Sequence, residues 1–408
     1  MVKPVGPIPP GYQAIDGELS VDGRKLSEIA DGEGTPLFVY SAALIRQRMA
    51  LLRDVMPKRL RIHYAVKANP YRPILELMRE LTDGFDIASG GELDMVLAAG
   101  QDPALVSFAG PGKRDEELAL AIAHGVTLNL ESEAEARRAL EVAGRLGSTP
   151  RLAIRVNPDF ELRGSGMKMG GGAKPFGLDQ ERVPALARDV IAAGAEWRGL
   201  HIFTGSQALD ASAIAETQAN VLDLAARLTG EIRAALPHLN MGGGLGIPYF
   251  HGDQPVDAGA VGTALAQRFA ALPPELDGTE FAIELGRYLV GEAGVYLTRI
   301  VDRKESHGHI FLVTDGGLHH QLAASGNFGT VVRRNYPAAI ATKFGKEPEE
   351  EASIVGCLCT PLDRLADQAM LPRADVGDIV AVFCAGAYGA SASPAAFLGQ
   401  GPAREILI

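Results

Sequence analysis

Lys67, Glu284, a glycine triplet at 242–244 and Cys359 are the residues of this 408-residue chain whose types and settings invite chemistry. Lys67 stands in AVKANP, at the end of an apolar β-type run, where an unpaired ammonium is costly because burial strips its hydration. Schiff-base formation with a carbonyl compound would consume the amine; a Lys that snorkels to the rim of the fold is the alternative. The run Met241-GGGLG offers consecutive backbone N–H groups with no side chains in the way, which suits a phosphate, although a glycine triplet also marks a tight turn. Its spacing fits neither the P-loop nor the dinucleotide fingerprint. Ser206, after Gly205, could donate to the same anion or act as a turn or cap residue. Glu284 and Arg287 close the run FAIELGR. A carboxylate there could keep a pyridine nitrogen protonated and so make the ring an electron sink; a plain Glu284–Arg287 salt bridge is the other reading.

These residues need a scaffold that brings distant segments together, and the spacing supplies one. Short apolar runs begin at 60, 84, 105, 127 and 151, intervals of 24, 21, 22 and 24 residues, with helical stretches between them. That repeat is a βα unit, and near-continuous apolar strands separated by helices imply a parallel sheet covered on both faces. LHIFTGS (200–206), LNMGGGLGI (239–247) and FAIELGR (281–287) bring the strands to eight, which predicts a (β/α)8 TIM barrel with its chemistry at the C-terminal strand ends. Those ends are polar: AVKANP, DIASGGE, RVNP, TGSQ, GGGLG and ELGR. After Arg287 the texture turns to β-branched runs such as GVYLTRIVDRKE and DIVAVFCAG, which predicts a second, mainly β domain, sandwich- or barrel-like. The expected division is residues 1–36 packing with the C-terminal β domain, 37–290 as an α/β barrel and 291–408 as the β domain.

Composition narrows the function. The chain is 47% hydrophobic and 22% charged with a net charge of −11 and no charge run, so nucleic acid and anionic membrane are excluded as expected partners. Three cysteines, Cys357, Cys359 and Cys384, lack zinc-ligand spacing and read as reduced thiols, so no metal is expected. No apolar run approaches the roughly 18 residues of a membrane span and the N-terminus is unlike a secretory signal, so the expectation is a soluble, cytoplasmic protein.

Taken in order, AVKANP, DIASGGE, RVNP, GSQ, GGGLG, ELGR, GCLCTPLD and GAYG resemble the alanine-racemase-fold decarboxylases that use pyridoxal 5′-phosphate, the diaminopimelate and ornithine decarboxylase group, over about residues 35–408. The resemblance implies that Lys67 carries the cofactor, with Asp86 nearby and Arg155 supporting the ring side. Ser206, Gly243, Gly244, Glu284, Gly286, Arg287 and Tyr388 would bind the cofactor, and Arg287, Thr360, Asp363 and Tyr388 would meet substrate. It also implies a homodimer in which Cys359, delivered from the partner subunit, protonates the carbanion after CO2 leaves. Without the resemblance Cys359 reads as a buried apolar thiol, the reading kept for Cys357 and Cys384.

The departures concern the substrate. Phe203 stands where the family stacks a His on the cofactor ring; a phenyl ring can stack but carries no charge. His201 reads as a barrel-core histidine. Ala323 and Asn327 occupy the places of the Arg and Tyr that grip the distal end of diaminopimelate, and Thr360 replaces an acidic residue that meets a distal ammonium, a loss that argues against diamino substrates. CTPLD, ELGRYLVGEAG and DGGLHHQLAASGNFG look closer to the exosortase-associated decarboxylase-like proteins and to a decarboxylase of carrier-protein-bound glutamyl groups. A tethered amino acyl group is therefore the favoured substrate, a free amino acid such as diaminopimelate the rival, and a non-catalytic homologue or a racemase the more distant alternatives. His319 and His320 lie in the altered loop and read as a surface pair that could touch such a substrate.

Overall fold

Apolar strands of three to seven residues separated by amphipathic helices can bury both faces by closing on themselves. The computed structural model, which describes residues 2–326 and 334–408, contains that closure. Strands β1 (Leu60–Ala65), β2 (Gly84–Ile87), β3 (Val106–Phe108), β4 (Thr127–Leu130), β5 (Arg151–Asn157), β6 (Glu196–Ile202), β7 (His238–Asn240) and β8 (Glu280–Leu285) each pair parallel with the next, and β8 pairs with β1. Helices α1 (Arg72–Leu81), α2 (Gly90–Ala98), α3 (Asp115–His124), α4 (Glu133–Leu146), α5 (Val183–Ala192), α6 (Ala211–Ile232) and α7 (Ala258–Ala270) follow the first seven strands. The expected eighth strand–helix pair is abbreviated: only the one-turn helix Arg287–Val290 follows β8, while the helix Ala42–Val55 precedes β1. Helix starts are set by side chains that satisfy free N–H groups: Ser89, Ser132, Asp210 and Asp257 cap α2, α4, α6 and α7.

The chain divides into two compact units, one of Met49–Gly246 with Pro255–Gly286, the barrel, and one of Met1–Arg48, Ile247–Gln254 and Arg287–Ile408. These cuts differ from the expected ones after 36 and 290, and residues 247–254 join the second unit although they follow a barrel strand. The second unit is mainly β. Its long strand Gly294–Ser306 pairs antiparallel with Leu37–Tyr40, His309–Thr314 and Ile379–Val382. Leu19, Val21, Leu26, Leu37, Val295, Leu297, Ile379 and Phe383 form one buried cluster, so the N-terminal strands complete that unit's core. No helix among the described residues is long and apolar enough to cross a membrane.

Strand β6 starts at Glu196, four residues before the apolar run that signals it, because EWRG places charged and glycine residues at the strand's half-exposed start. The ladder with β5 shifts register between Trp197 and Gly199. Gly199 has φ +106°, and a Cβ there would lie 1.9 Å from the His238 carbonyl oxygen. A side chain would meet both backbone strain and a clash with β7. Gly199→Ala is expected to cost about 2 kcal/mol or more, read as a lowered denaturation midpoint in urea.

Candidate active site

Lys67 sits on the single 3-10 turn Val66–Ala68 that ends β1. Pro70 disfavours helix at Asn69, which is extended, and Asn69 braces the turn by accepting the Tyr71 N–H on Oδ1 and the Tyr64 hydroxyl on its carbonyl. Lys67 is exposed, so the argument from a costly buried ammonium does not apply; its Nζ stands 5.4 Å from the centroid of the Phe203 ring. The ring expected to stack on a cofactor therefore faces the amine expected to carry it.

Glu284, on β8, is 6% exposed. Its Oε2 lies 2.9 Å from His201 Nε2 and accepts from Asn240 Nδ2 at 3.3 Å. Burial works against its charge, but His201 with its hydrogen bond, Lys67 and Arg155 outweigh this and hold the carboxyl at a pKa of about 2. His201, read from sequence as a core histidine, is 2% exposed and is the main support of that carboxylate.

The other strand ends add charge. Arg155 of β5 donates to Glu131 at 2.9 Å and lies over the Phe176 ring at 5.0 Å. Glu131 follows β4 and accepts the N–H groups of Gly110 and Gly177 as well; burial raises its pKa, yet Arg155, the Gly177 N–H and Lys113 keep it below the usual carboxylate range. Glu131 carries no motif of its own in the sequence, although TLNLES obeys the same rule of polar strand ends. Asp86, on β2, is 7% exposed, and neither of its oxygens has a hydrogen-bond partner among the described residues. His63 Nδ1 is 3.4 Å from Asp86 Oδ2, at ion-pair distance without hydrogen-bond alignment.

The glycine loop is tied down by Gly242 N–H to Asn240 Oδ1, Ala208 N–H to the Gly244 carbonyl and Gly246 N–H to the Ala208 carbonyl. The N–H groups of Gly243 and Gly244 take no part in these ties. A Cβ on Gly243 would lie 2.6 Å from the Glu284 carbonyl oxygen, and one on Gly286 would lie 2.7 Å from the Ala68 Cβ, so both glycines are required by close backbone packing. Gly205–Ser206 forms a two-residue antiparallel ladder with Met167–Lys168, which holds Ser206, half-buried, two residues before the Ala208 that bonds the glycine loop.

The remaining expected residues belong to the second unit. Arg287 lies over the rings of Tyr388 at 4.9 Å and Tyr249 at 5.5 Å; burial disfavours its charge and these tyrosines favour it. Tyr249, in GIPYF, carried no signal before the fold was known. Cys359 is exposed, and so is Cys357, against the expectation of a buried thiol; Cys384 is buried. Thr360 is half-buried in the local turn that follows. Asp363, expected to meet substrate, instead ties two loops together: it is 2% exposed, Oδ1 accepts the Leu318 N–H at 2.7 Å and Oδ2 the Leu358 N–H at 2.9 Å. A Cβ at Gly317 or Gly356 would come within 2.3 Å of those oxygens. His319 and His320 are buried rather than a surface pair. His320 binds the Tyr296 hydroxyl through Nδ1 and the Gly401 carbonyl through Nε2, both at 3.0 Å, and burial with the neighbouring His319 lowers its pKa to about 4. Ala323 lies in the short 3-10 turn Leu322–Ser325, and Asn327 lies outside the described residues.

Among the described residues, an exposed lysine, a pinned carboxylate, an aspartate without a hydrogen-bond partner and two glycine N–H groups outside the loop's own ties lie at the strand ends of the barrel, a set that fits a phosphorylated, carbonyl-bearing cofactor with a ring nitrogen. The donor set fits pyridoxal phosphate. A family model for the pyridoxal-dependent decarboxylases, their pyridoxal binding domain, matches residues 42–291, and the chain belongs to that family. It is 33% identical over 395 residues to the L-glutamyl-[BtrI acyl-carrier protein] decarboxylase of Niallia circulans, covering 95% of this chain and 92% of that one. It is 34% identical over 383 residues to the diaminopimelate decarboxylase of Aquifex aeolicus (strain VF5), covering 93% and 88%. Among solved structures, diaminopimelate decarboxylase from M. jannaschii in complex with L-lysine superposes with a TM-score of 0.88 at 28% identity, covering 98% and 93%. The chain is thus a pyridoxal-phosphate-dependent decarboxylase, a carbon–carbon lyase.

Removing the Asp363 carboxylate would leave two buried N–H groups unpaired. Asp363→Ala is expected to cost roughly 2 to 4 kcal/mol in thermal or urea unfolding and to expose the 356–363 loop to limited proteolysis.

Proposed function

We propose that this decarboxylase acts on an α-amino acid with no distal ammonium, most simply a glutamyl or other amino acyl group tethered to a carrier protein. The observation that carries the cofactor assignment is the Lys67 ammonium over the Phe203 ring with the His201-pinned Glu284 in the same strand-end layer. Ala323 and Thr360, where diamino-acid enzymes of the resemblance carry a cation and an acid, support the choice of substrate. The Niallia circulans relative, which acts on a carrier-protein glutamyl group, supports it further. Diaminopimelate is the competing reading, supported by the Aquifex relative and weakened by the same two residues.

When bound, pyridoxal phosphate supplies an electron sink for the pair released as the α-carboxylate departs. Lys67 Nζ would carry it, and the Gly243 and Gly244 N–H groups with Ser206 would cradle its phosphate. Phe203 would pack against the ring. Glu284, its carboxyl held below the usual range by His201, would hold a proton on the ring nitrogen, and Asp86 and Arg155 would line the same layer. Gly286 permits the close approach of the β8 end to Ala68. We assign Arg287 and Tyr388 to the phosphate and the substrate, and Thr360 to the substrate. Cys359 Sγ would return the proton to the product carbon, delivered from the partner subunit of a homodimer. Asp363, whose oxygens are taken by main-chain N–H groups, would shape the loop that bears Thr360 and Cys359 rather than touch substrate.

Purified protein loaded with pyridoxal phosphate should show a visible absorption band that borohydride abolishes, with the mass tag on the peptide containing Lys67. Lys67→Ala should lose the band, and Cys359→Ala should keep it while slowing product formation by about two orders of magnitude or more. Carrier-tethered glutamate should release CO2 faster than diaminopimelate; the reverse order would overturn the substrate, and a band that survives in Lys67→Ala would overturn the lysine.

A further inference from the structure

The interior of the barrel carries polar side chains where barrels of this kind commonly stack branched apolar ones. A cavity of about 110 Å³ runs inward from the N-terminal strand ends, the side opposite Lys67. Its mouth holds Arg61 and Glu280, both about half exposed, and its walls include His63, Ser107, Asn129, His238 and Asn240. That volume accommodates several waters, each of which needs about 10 to 15 Å³ and two to four polar partners. The cavity reaches the cofactor layer at two points. Asn240 donates to Glu284 Oε2, and His63 Nδ1 faces the buried Asp86, whose oxygens have no hydrogen-bond partner among the described residues.

We propose that water in this cavity and His63 form a proton path between solvent at the N-terminal face and the Asp86 carboxylate in the cofactor layer. A proton relayed from solvent along the cavity water enters at His63 Nε2 as Nδ1 gives one to Asp86 Oδ2, which neutralises that carboxylate and leaves His63 as its other tautomer; the reverse transfer returns the proton to solvent, restores the start and consumes no co-reactant. Charged and titratable groups face His63 from every side. Arg61 shares its strand, Asp83 and Asp86 come from β2 and the turn before it, Arg198 and His201 from β6, His238 from β7, and Glu280 and Glu284 from β8. Burial disfavours a charged His63, but Asp86, with lesser help from Asp83 and Glu284, raises its pKa above the ordinary value. His238, whose ring stacks on it at 5.8 Å, is pushed down to about 3 by burial and by His63, and so stays neutral beside it. His63 thus holds a proton more readily than the histidine stacked on it.

The test is deuterium exchange at histidine ring carbons, followed by mass spectrometry across pH on the protein with and without pyridoxal phosphate. His63 should exchange within about tenfold of the exposed His309, and Ser107→Leu, which fills the cavity, should slow His63 by tenfold or more without changing His309. Ala153→Val narrows the cavity from another wall and replaces that variant if it fails to accumulate. With cofactor bound, the visible band should follow a pH jump more slowly in the filled variants and in His63→Leu, and His63→Gln should recover part of the rate. A His63 protected by more than about a hundredfold at every pH would overturn the path, as would filled variants that track the pH jump like the parent. The path rests on the cofactor reading only for the visible band: absence of that band would defeat the cofactor assignment and leave the exchange result standing.

Discussion

A carboxylate removed from water survives as an anion only if its neighbours supply what water did. Glu284 meets that condition through His201 and Asn240, with Lys67 and Arg155 adding their field, and the rest of the site follows from it. Closure of the barrel places β6, β7 and β8 side by side, so the three residues that share this hydrogen-bonded group come from segments up to 83 positions apart. The glycines at 243 and 286 follow from the same closeness, because a Cβ at either would strike the backbone or a side chain that the strand ends bring near.

Much of this was legible in the sequence. The 21- to 24-residue period and the polar strand ends gave the barrel, and the ordered motifs placed Lys67, Glu284 and the glycine loop. What escaped were residues whose importance lies in their partners. His201 looks like any inward histidine until the carboxylate two strands away is known, and Glu131 is one glutamate among many until Arg155 is found beside it. Lys67 escapes the desolvation expected of a strand end because β1 stops at Ala65 and the turn Val66–Ala68 carries the side chain out of the wall. Periodicity reports which face a residue occupies; it does not report that a strand has stopped.

The β unit was read well in texture and poorly in detail. Its strands were foreseen as β-branched runs, but the burial of His319 and His320 was not, since adjacent histidines carry no alternation from which burial can be inferred. His320 is enclosed because a tyrosine hydroxyl and a backbone carbonyl satisfy both of its nitrogens. Asp363 shows the same limit: an aspartate in a loop suggests solvent or substrate, and only the fold reveals two backbone N–H groups converging on it.

Asp363 has a consequence for how such an enzyme can diversify. By holding the 317–318 and 356–358 segments through their main chains, it makes the course of both loops independent of the side chains they display. The exposed Cys359 and half-buried Thr360 can then be exchanged without remodelling the backbone, while the residues that pin Glu284 belong to the barrel unit. Residues displayed on that loop and those that fix the Glu284 carboxylate are thus encoded in separate stretches of the gene, so drift in one need not disturb the main chain around the other.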